Sequence, residues 1–307
     1  MRLAPTFAAL ALLSACSSAP PAREFDGPTA FGYLQQQVAF GPRIPGTAPH
    51  ARMAAWLDST LQTRADTVVV QAWNHVTARG DTLPLHNVIA RFNPAASERV
   101  LFLAHWDTRP VSDNPYFKGD KTRPVPGAND GASGTAILMA MADALRKKPT
   151  KVGVDLLFSD GEDYGNFQSE PADVLIGSRY YAAHQLPGPK PLYAVLLDMV
   201  GDKELRLLPE NQSVLAAPEV VDLVWTVAKE IGHGDVFVND IGAGPTLIDD
   251  HAELQKVGIR AIDVVDFAYP KGPENLNWHT PDDTIDKVSA QSLQIVGDVA
   301  MALIRRH

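Results

Sequence analysis

Apolar residues recur along the chain in two patterns. Within 48–64, Met53, Trp56, Leu57 and Leu61 fall three and four residues apart, which puts them on one face of a helix. Residues 25–40 share that periodicity and stop at Gly41-Pro42, a helix-ending pair. Further helices are predicted over 133–146, which is rich in Ala, Leu and Met, and over 218–231 and 289–305. The second pattern is the short unbroken apolar run, seen at 99–105 (RVLFLAH), 152–158, 193–197 and 259–265. Such runs read as strands buried on both faces. Two more strands, 67–73 and 86–92, flank a polar turn at Gly80-Asp81 and predict an early hairpin, with an antiparallel edge on the sheet. Strands interleaved with helices predict an α/β three-layer sandwich, a central mixed and mostly parallel sheet flanked by helices. No repeat or linker divides 25–307, so a single domain is predicted there. The proline-rich loop 108–127 is predicted to lie over the end of the sheet.

Composition narrows the picture. The chain has 307 residues, 45% hydrophobic and 21% charged, the profile of an ordinary globular protein. Asp plus Glu number 36 against 27 for Lys plus Arg, a net charge of −9, which argues against nucleic acid as a partner. The N-terminus departs from the rest. Arg2, a compact apolar run at 7–13 and the segment Leu13-Ser14-Ala15-Cys16 outline a secretory signal. Its LSAC ending resembles a bacterial lipobox. That predicts a lipoprotein signal peptide at 1–15, lipid attached to Cys16 and a tether at 16–24. An ordinary signal peptide with an incidental cysteine is the alternative. The predicted location is export with a lipid anchor on a bacterial membrane facing the periplasm, the outer membrane being preferred because Ser17 follows the cysteine. Cys16 is the only cysteine, so the body holds no disulfide.

Candidate chemistry clusters where the predicted strands end. The hexapeptide at 160–165, DGEDYG, puts three carboxylates directly after a buried-looking run. Carboxylates repel one another and resist burial, so either solvent or a cation must compensate them. His105-Trp106-Asp107 follows 99–104, and Asp198 follows 193–197. Gly127 to Gly134 (GANDGASG) is a glycine-rich turn opening a helix and carries Asp130; His279 sits in NWHTPDD at 277–283. Ligands of open α/β sheets bind beyond the carboxyl ends of the strands. Taken singly, each residue is explained by turn or capping chemistry. Together, two histidines and several carboxylates from separate elements match what Zn²⁺ accepts when thiolates are absent.

The motifs HWD, GANDGASG, GED, LLD and WHTPDD, in this order, resemble the superfamily of zinc aminopeptidases and glutaminyl cyclases, from about residue 25 to the C-terminus. The resemblance implies a zinc ion bound by Asp130, Asp163 and His279. Asp163 stands where many relatives have Glu and is one methylene shorter. It implies Glu162 as general base and acid, turned to the substrate because neighbours in an extended segment point opposite ways. Asp160 is expected to be structural or solvated, with no catalytic role. His105 and Asp198 would hold a second ion beside a bridging Asp130, or else join an acidic hydrogen-bond network; one zinc is expected and two stay open. LIDDH at 247–251, Trp278-His279 and HWDTRP at 105–110 resemble the cyclases, and GSRYY at 177–181 resembles the helix after the acidic pair. Asp263 falls where animal cyclases have histidine, and Phe167 or Gln168 where they have tryptophan. The implied reaction closes an N-terminal glutamine of a peptide or protein to pyroglutamate with release of ammonia. Catalytic support would come from Asp249 and Asp198, and an apolar wall from Trp278. Asp249 also reads as a helix N-cap, and Trp278 as loop packing. The alternatives are a zinc aminopeptidase, with Glu162 deprotonating water, and a lipid-anchored binding protein.

Overall fold

The computed structural model describes residues 23–272 and 274–307. The predicted signal peptide and Cys16 lie outside these residues, as does most of the tether. Six strands form one sheet: β1 (Thr67–Val76), β2 (Thr82–Phe92), β3 (Arg99–His105), β4 (Gly153–Ser159), β5 (Ala194–Asp198) and β6 (Ala261–Val265). Their spatial order is β1-β2-β4-β3-β5-β6. The hairpin strands run antiparallel to each other, and β2 runs antiparallel to β4. The four strands β4, β3, β5 and β6 are mutually parallel, so their carboxyl ends share one edge of the sheet.

Alternation along each strand divides the core in two. Phe102, Leu156, Leu197 and Val264 face a large cluster. It is completed by α1 (Gly27–Ala39), α2 (Ala48–Gln62), α3 (Ala132–Lys147), α6 (Pro218–Glu230) and α8 (Ala290–Arg305). Leu101, Leu103, Leu157 and Leu196 face the other way, onto Tyr181 of α4 (Ile176–Ala183) and Leu254 of α7 (Asp250–Lys256). This is the three-layer sandwich that unbroken apolar strands demand, since both faces must be covered. β1, at the edge, is the exception: it alternates between half-buried and exposed positions.

The elements depart from the expected bounds mainly at the hairpin. β1 continues to Val76 and β2 begins at Thr82; Leu83 and Leu85 alternate into the core there, but Pro84 between them argues against a strand in the sequence. α5 (Asn211–Ala216) was not legible: six residues are too few to display a period. It is fixed by its N-cap, Glu210, whose buried carboxylate accepts from the N–H groups of Gln212 and Ser213 at 2.8 and 2.6 Å.

One close approach sets the position of α3. A Cβ on Gly134 would lie 1.9 Å from the Leu197 carbonyl oxygen. Only glycine lets the start of α3 lie this near β5, and that brings the turn carrying Asp130 close to Asp198.

Candidate active site

Most of the predicted catalytic and metal residues stand at element ends on the shared edge, while Trp278 and His279 reach it from the loop after β6. His105 closes β3 and Asp198 closes β5. Asp130 lies in the turn before α3. That turn is pinned by Asp283, whose carboxylate accepts the backbone N–H of Asn129 at 2.8 Å and of Asp130 at 3.1 Å. Tyr269 donates its hydroxyl to the same carboxylate at 2.9 Å. The fully buried Arg43 braces the turn from below, donating to the carbonyls of Pro126 and Gly127 at 2.6 and 2.7 Å. His279 adopts φ +53°, a left-handed conformation costly for this residue and held by its surroundings. Asn114 supplies part of that hold: its backbone N–H donates to the His279 carbonyl and its side chain to that of Trp278.

These residues converge in two triads that share Asp130. Nε2 of His105 lies 3.1 Å from Asp130 Oδ1 and 3.2 Å from Asp198 Oδ1. Nε2 of His279 lies 3.1 Å from Asp163 Oδ1 and 3.7 Å from Asp130 Oδ2. Within each triad the candidate ligand atoms lie within 4.8 Å of one another. Asp130 Oδ2 and Asp163 Oδ2 are buried with no hydrogen-bond partner. Buried, partnerless carboxylate oxygens in groups that face imidazole nitrogens are unfavourable by themselves and fit a divalent cation.

Charge in the site agrees. Burial pushes the Glu162 carboxyl well above its usual range; His105 opposes this, while Asp163 and Asp249 add to it. Burial also raises Asp130, with Asp163 as a repelling neighbour. Asp249 is raised well above the usual range by burial and by Asp198. Asp163 goes the other way: burial opposes ionisation, but His279 and Arg109 hold it below the usual value. Burial leaves these carboxylates little solvent, and a cation held by the two triads would compensate the crowding around Glu162 and Asp163.

The segment around Glu162 and Asp163 is not extended, as the alternation argument required. Gly161 has φ +71° and the chain bends here. The bend is imposed by Asp107, whose two oxygens accept the N–H groups of Glu162 and Asp163 at 3.0 and 3.2 Å. The outcome still separates the two side chains. Asp163 joins His279, and Glu162 lines the cleft, with Oε2 3.9 Å from His105 Nδ1. Asp160 is structural and not solvated: fully buried, it pairs with His50 Nε2 at 2.8 Å and accepts from the His86 N–H at 2.7 Å.

The cleft has a volume of about 310 Å³ and is lined by acidic and apolar groups together. Glu162, Asp198 and Asp249 supply the acids; Phe167, Ile248, Phe267 and Trp278 supply apolar wall. Trp278 stacks on His279 with centroids 3.7 Å apart and meets Phe267 at 5.0 Å, so it packs in its loop and also faces the cavity. Asp249 caps α7, accepting the Asp250 N–H at 2.5 Å, and lines the cleft as well. Asp263 is buried in β6 and neither of its oxygens has a hydrogen-bond partner. Sequence reasoning missed Asp107, Arg109 and Asp113 as parts of the site. Asp107 and Arg109 were present in the HWDTRP run and Asp113 just beyond it, but charged residues in a loop do not disclose where they fold back.

Comparison with known proteins follows this geometry. The profile of peptidase family M28 matches residues 87–304. A Zn-dependent exopeptidase from Parabacteroides distasonis superposes with a TM-score of 0.87 at 33% identity, covering 92% of this chain and 99% of its own. A glutaminyl cyclase from Porphyromonas gingivalis gives 0.86 at 35% identity, over 92% and 98%. One from Bacteroides thetaiotaomicron gives 0.86 at 32%, over the same shares. The Drosophila melanogaster glutaminyl-peptide cyclotransferase is 26% identical over 281 residues, 83% of this chain and 75% of its own length.

Proposed function

The chain belongs to peptidase family M28, and from that premise we propose that it is a glutaminyl-peptide cyclotransferase, converting N-terminal glutamine of peptides or proteins to pyroglutamate with release of ammonia. One observation carries the reading. Glu162, Asp198 and Asp249 share a single cleft with Trp278, in a chain similar over nearly its whole described length to bacterial glutaminyl cyclases.

We take Asp130, Asp163 and His279 to hold one zinc ion, which when bound supplies Lewis-acid polarisation of the glutamine side-chain carbonyl. The protein's own groups do the rest. Trp278 and Phe267 present apolar surface to the methylenes of the glutamine. Glu162 accepts a proton from the α-amine as its nitrogen bonds to the side-chain carbonyl carbon. The C–N bond to the amide nitrogen then breaks, and Glu162 returns the proton to the leaving ammonia. Asp249 receives a hydrogen bond from the nitrogen being expelled and keeps it in line, with Asp198 beside it in the supporting acidic network. The nucleophile belongs to the same residue as the carbonyl, so ring closure needs orientation and no captured water.

A second reading has its own observation, the intact triad of His105, Asp130 and Asp198 beside the first. Two ions there would suit an aminopeptidase, in which Glu162 deprotonates water. Incubation with a Gln-initiated and a Leu-initiated peptide separates the two. Loss of ammonia with the chain intact supports the cyclase, and release of a free amino acid supports the peptidase. A metal-loaded protein that yields neither product would be the binding protein.

We also propose that residues 25–307 are a single catalytic unit lipid-anchored through Cys16 and facing the periplasm. Metabolic labelling with a radioactive fatty acid tests this: label should enter the parent chain and be lost in Cys16→Ser.

A further inference from the structure

Arg109 and Asp113 stand outside both triads, yet they join two members of one of them. Nη1 of Arg109 donates to Asp163 Oδ1 at 2.9 Å. Its Nε and Nη2 donate to the two oxygens of Asp113 at 2.7 and 2.6 Å. Asp113 Oδ1 lies 3.1 Å from His279 Nδ1, and His279 Nε2 lies 3.1 Å from Asp163 Oδ1. The four side chains therefore close a ring. The side chains of Arg109, Asp163 and His279 are 7%, 6% and 10% exposed, and Asp113, at 27%, is the member that faces solvent.

We propose that Arg109 and Asp113 are positioning residues that preorganise the triad of Asp130, Asp163 and His279, making it the tighter of the two ion positions. Asp113 accepts the proton on Nδ1 of His279, which leaves the Nε2 lone pair pointed at Asp130 and Asp163. The planar fork of Arg109 occupies one oxygen of Asp163 and fixes the plane of its carboxylate, while Oδ2 stays buried and free. This matters because an aspartate at 163 has less reach than a glutamate and cannot swing to find an ion. The guanidinium repels a cation, but two carboxylates against one guanidinium leave the ring net negative.

The other triad is braced more loosely: Asp107 faces Nδ1 of His105 at 3.5 Å, against 3.1 Å for Asp113 and His279. His105 Nδ1 has no hydrogen-bond partner. The nearest oxygen of Asp107 is 3.5 Å away and already accepts the Glu162 N–H. Asp198 is 14% exposed, and its one side-chain hydrogen bond is to His105 itself. The outer side of the ring borders a separate cavity of about 320 Å³ lined by Arg109, Asp113, Tyr164 and Arg79.

The inference rests on the metal reading of the site and not on the reaction. The test strips the full-length protein of metal and titrates it with zinc against a chromophoric chelator. The parent should bind one zinc at least tenfold tighter than any second. Asp113→Asn should weaken the tight ion roughly 10- to 100-fold, the usual loss when an outer partner of a ligating histidine is removed. It should also shift the visible spectrum of the cobalt-substituted protein. Unchanged affinity and spectrum in a folded Asp113→Asn protein would overturn the proposal. Should that variant not fold, Arg109→Ala serves: its altered cobalt spectrum should return toward the parent's when guanidinium is added, and failure to return overturns the idea. A parent that binds zinc as described but cyclises nothing would retire the proposed function and leave this inference standing.

Discussion

At the scale of single residues, the proposed function separates holding from reacting. Asp163 is engaged by His279 and Arg109, whereas Glu162 accepts no side-chain hydrogen bond among the described residues and lines the cleft. Glu162→Gln keeps shape and volume but removes the proton acceptor. Cyclisation should fall roughly 100- to 10,000-fold, the usual worth of a positioned acid–base group, with metal content unchanged. Steady-state rates beside elemental analysis check this; loss of both together would mean that Glu162 holds the ion. Trp278→Ala should act differently, raising KM more than it lowers kcat, because a wall contributes binding that is present before the reaction. The candidate ligands were legible in sequence only as a set, because two histidines and several carboxylates fall together at the ends of separate elements; singly, each has an ordinary turn or capping use. Asp107, Arg109 and Asp113 were not, since their roles depend on where a long loop folds back. The contribution of Asp107 is made through backbone N–H groups, which carry no residue signature.

At the scale of elements, the unbroken apolar runs foretold the four parallel strands to within two residues, because a strand buried on both faces has little freedom in composition. What they could not show is the tightness of contacts between elements. Gly134→Ala would force a methyl group against the Leu197 carbonyl and push α3 off β5. The expected cost is about 1–3 kcal/mol, as for other overpacked sites, read as a lower denaturation midpoint. The movement also displaces Asp130 from Asp198, so zinc affinity should drop with stability. α5 was invisible in the sequence, and its anchor shows why it matters. Burial opposes ionisation of Glu210, but His251 and the N–H groups of Gln212, Leu247 and Ser213 outweigh it and lower its pKa from 4.5 to about 2. The folded pKa lies below the unfolded one, so this stabilisation is present above about pH 4.5 and is lost as pH falls toward 2. It is worth about 3 kcal/mol at neutral pH, at 1.36 kcal/mol per unit. Glu210→Gln should therefore be less stable than the parent at pH 7, with the gap closing below pH 4. A constant gap across that range in denaturant titrations would count against the ionised cap.

At the scale of the whole molecule, the strand order explains why residues 105, 130, 163, 198 and 279 meet at all. β3 sits between β4 and β5, so three consecutive carboxyl ends lie side by side, and the turn before α3 is drawn over them. Nothing in the periodicity fixes that order; the motifs announced a common site without saying which strands are neighbours. The same arrangement has an energetic consequence. In a chain of net charge −9, folding gathers Asp130, Glu162, Asp163, Asp198 and Asp249 into one cleft. Their mutual repulsion opposes the folded state and is absent once the chain unfolds and disperses them. A cation that binds only the folded form removes part of that penalty by mass action. At a free concentration 100 times its Kd, it adds about 2.7 kcal/mol to stability. For a domain of this size each kcal/mol moves Tm by roughly 2–4 °C, so zinc should raise Tm by roughly 5–10 °C over the chelated protein. Calorimetry on chelated, zinc-restored and Asp163→Asn samples decides it. The shift should appear on restoring zinc to the parent and shrink sharply in the variant, which lacks one of the proposed ligands. A parent whose Tm ignores zinc would show that the crowded carboxylates are reconciled by protonation, and the cation would lose its place in the fold.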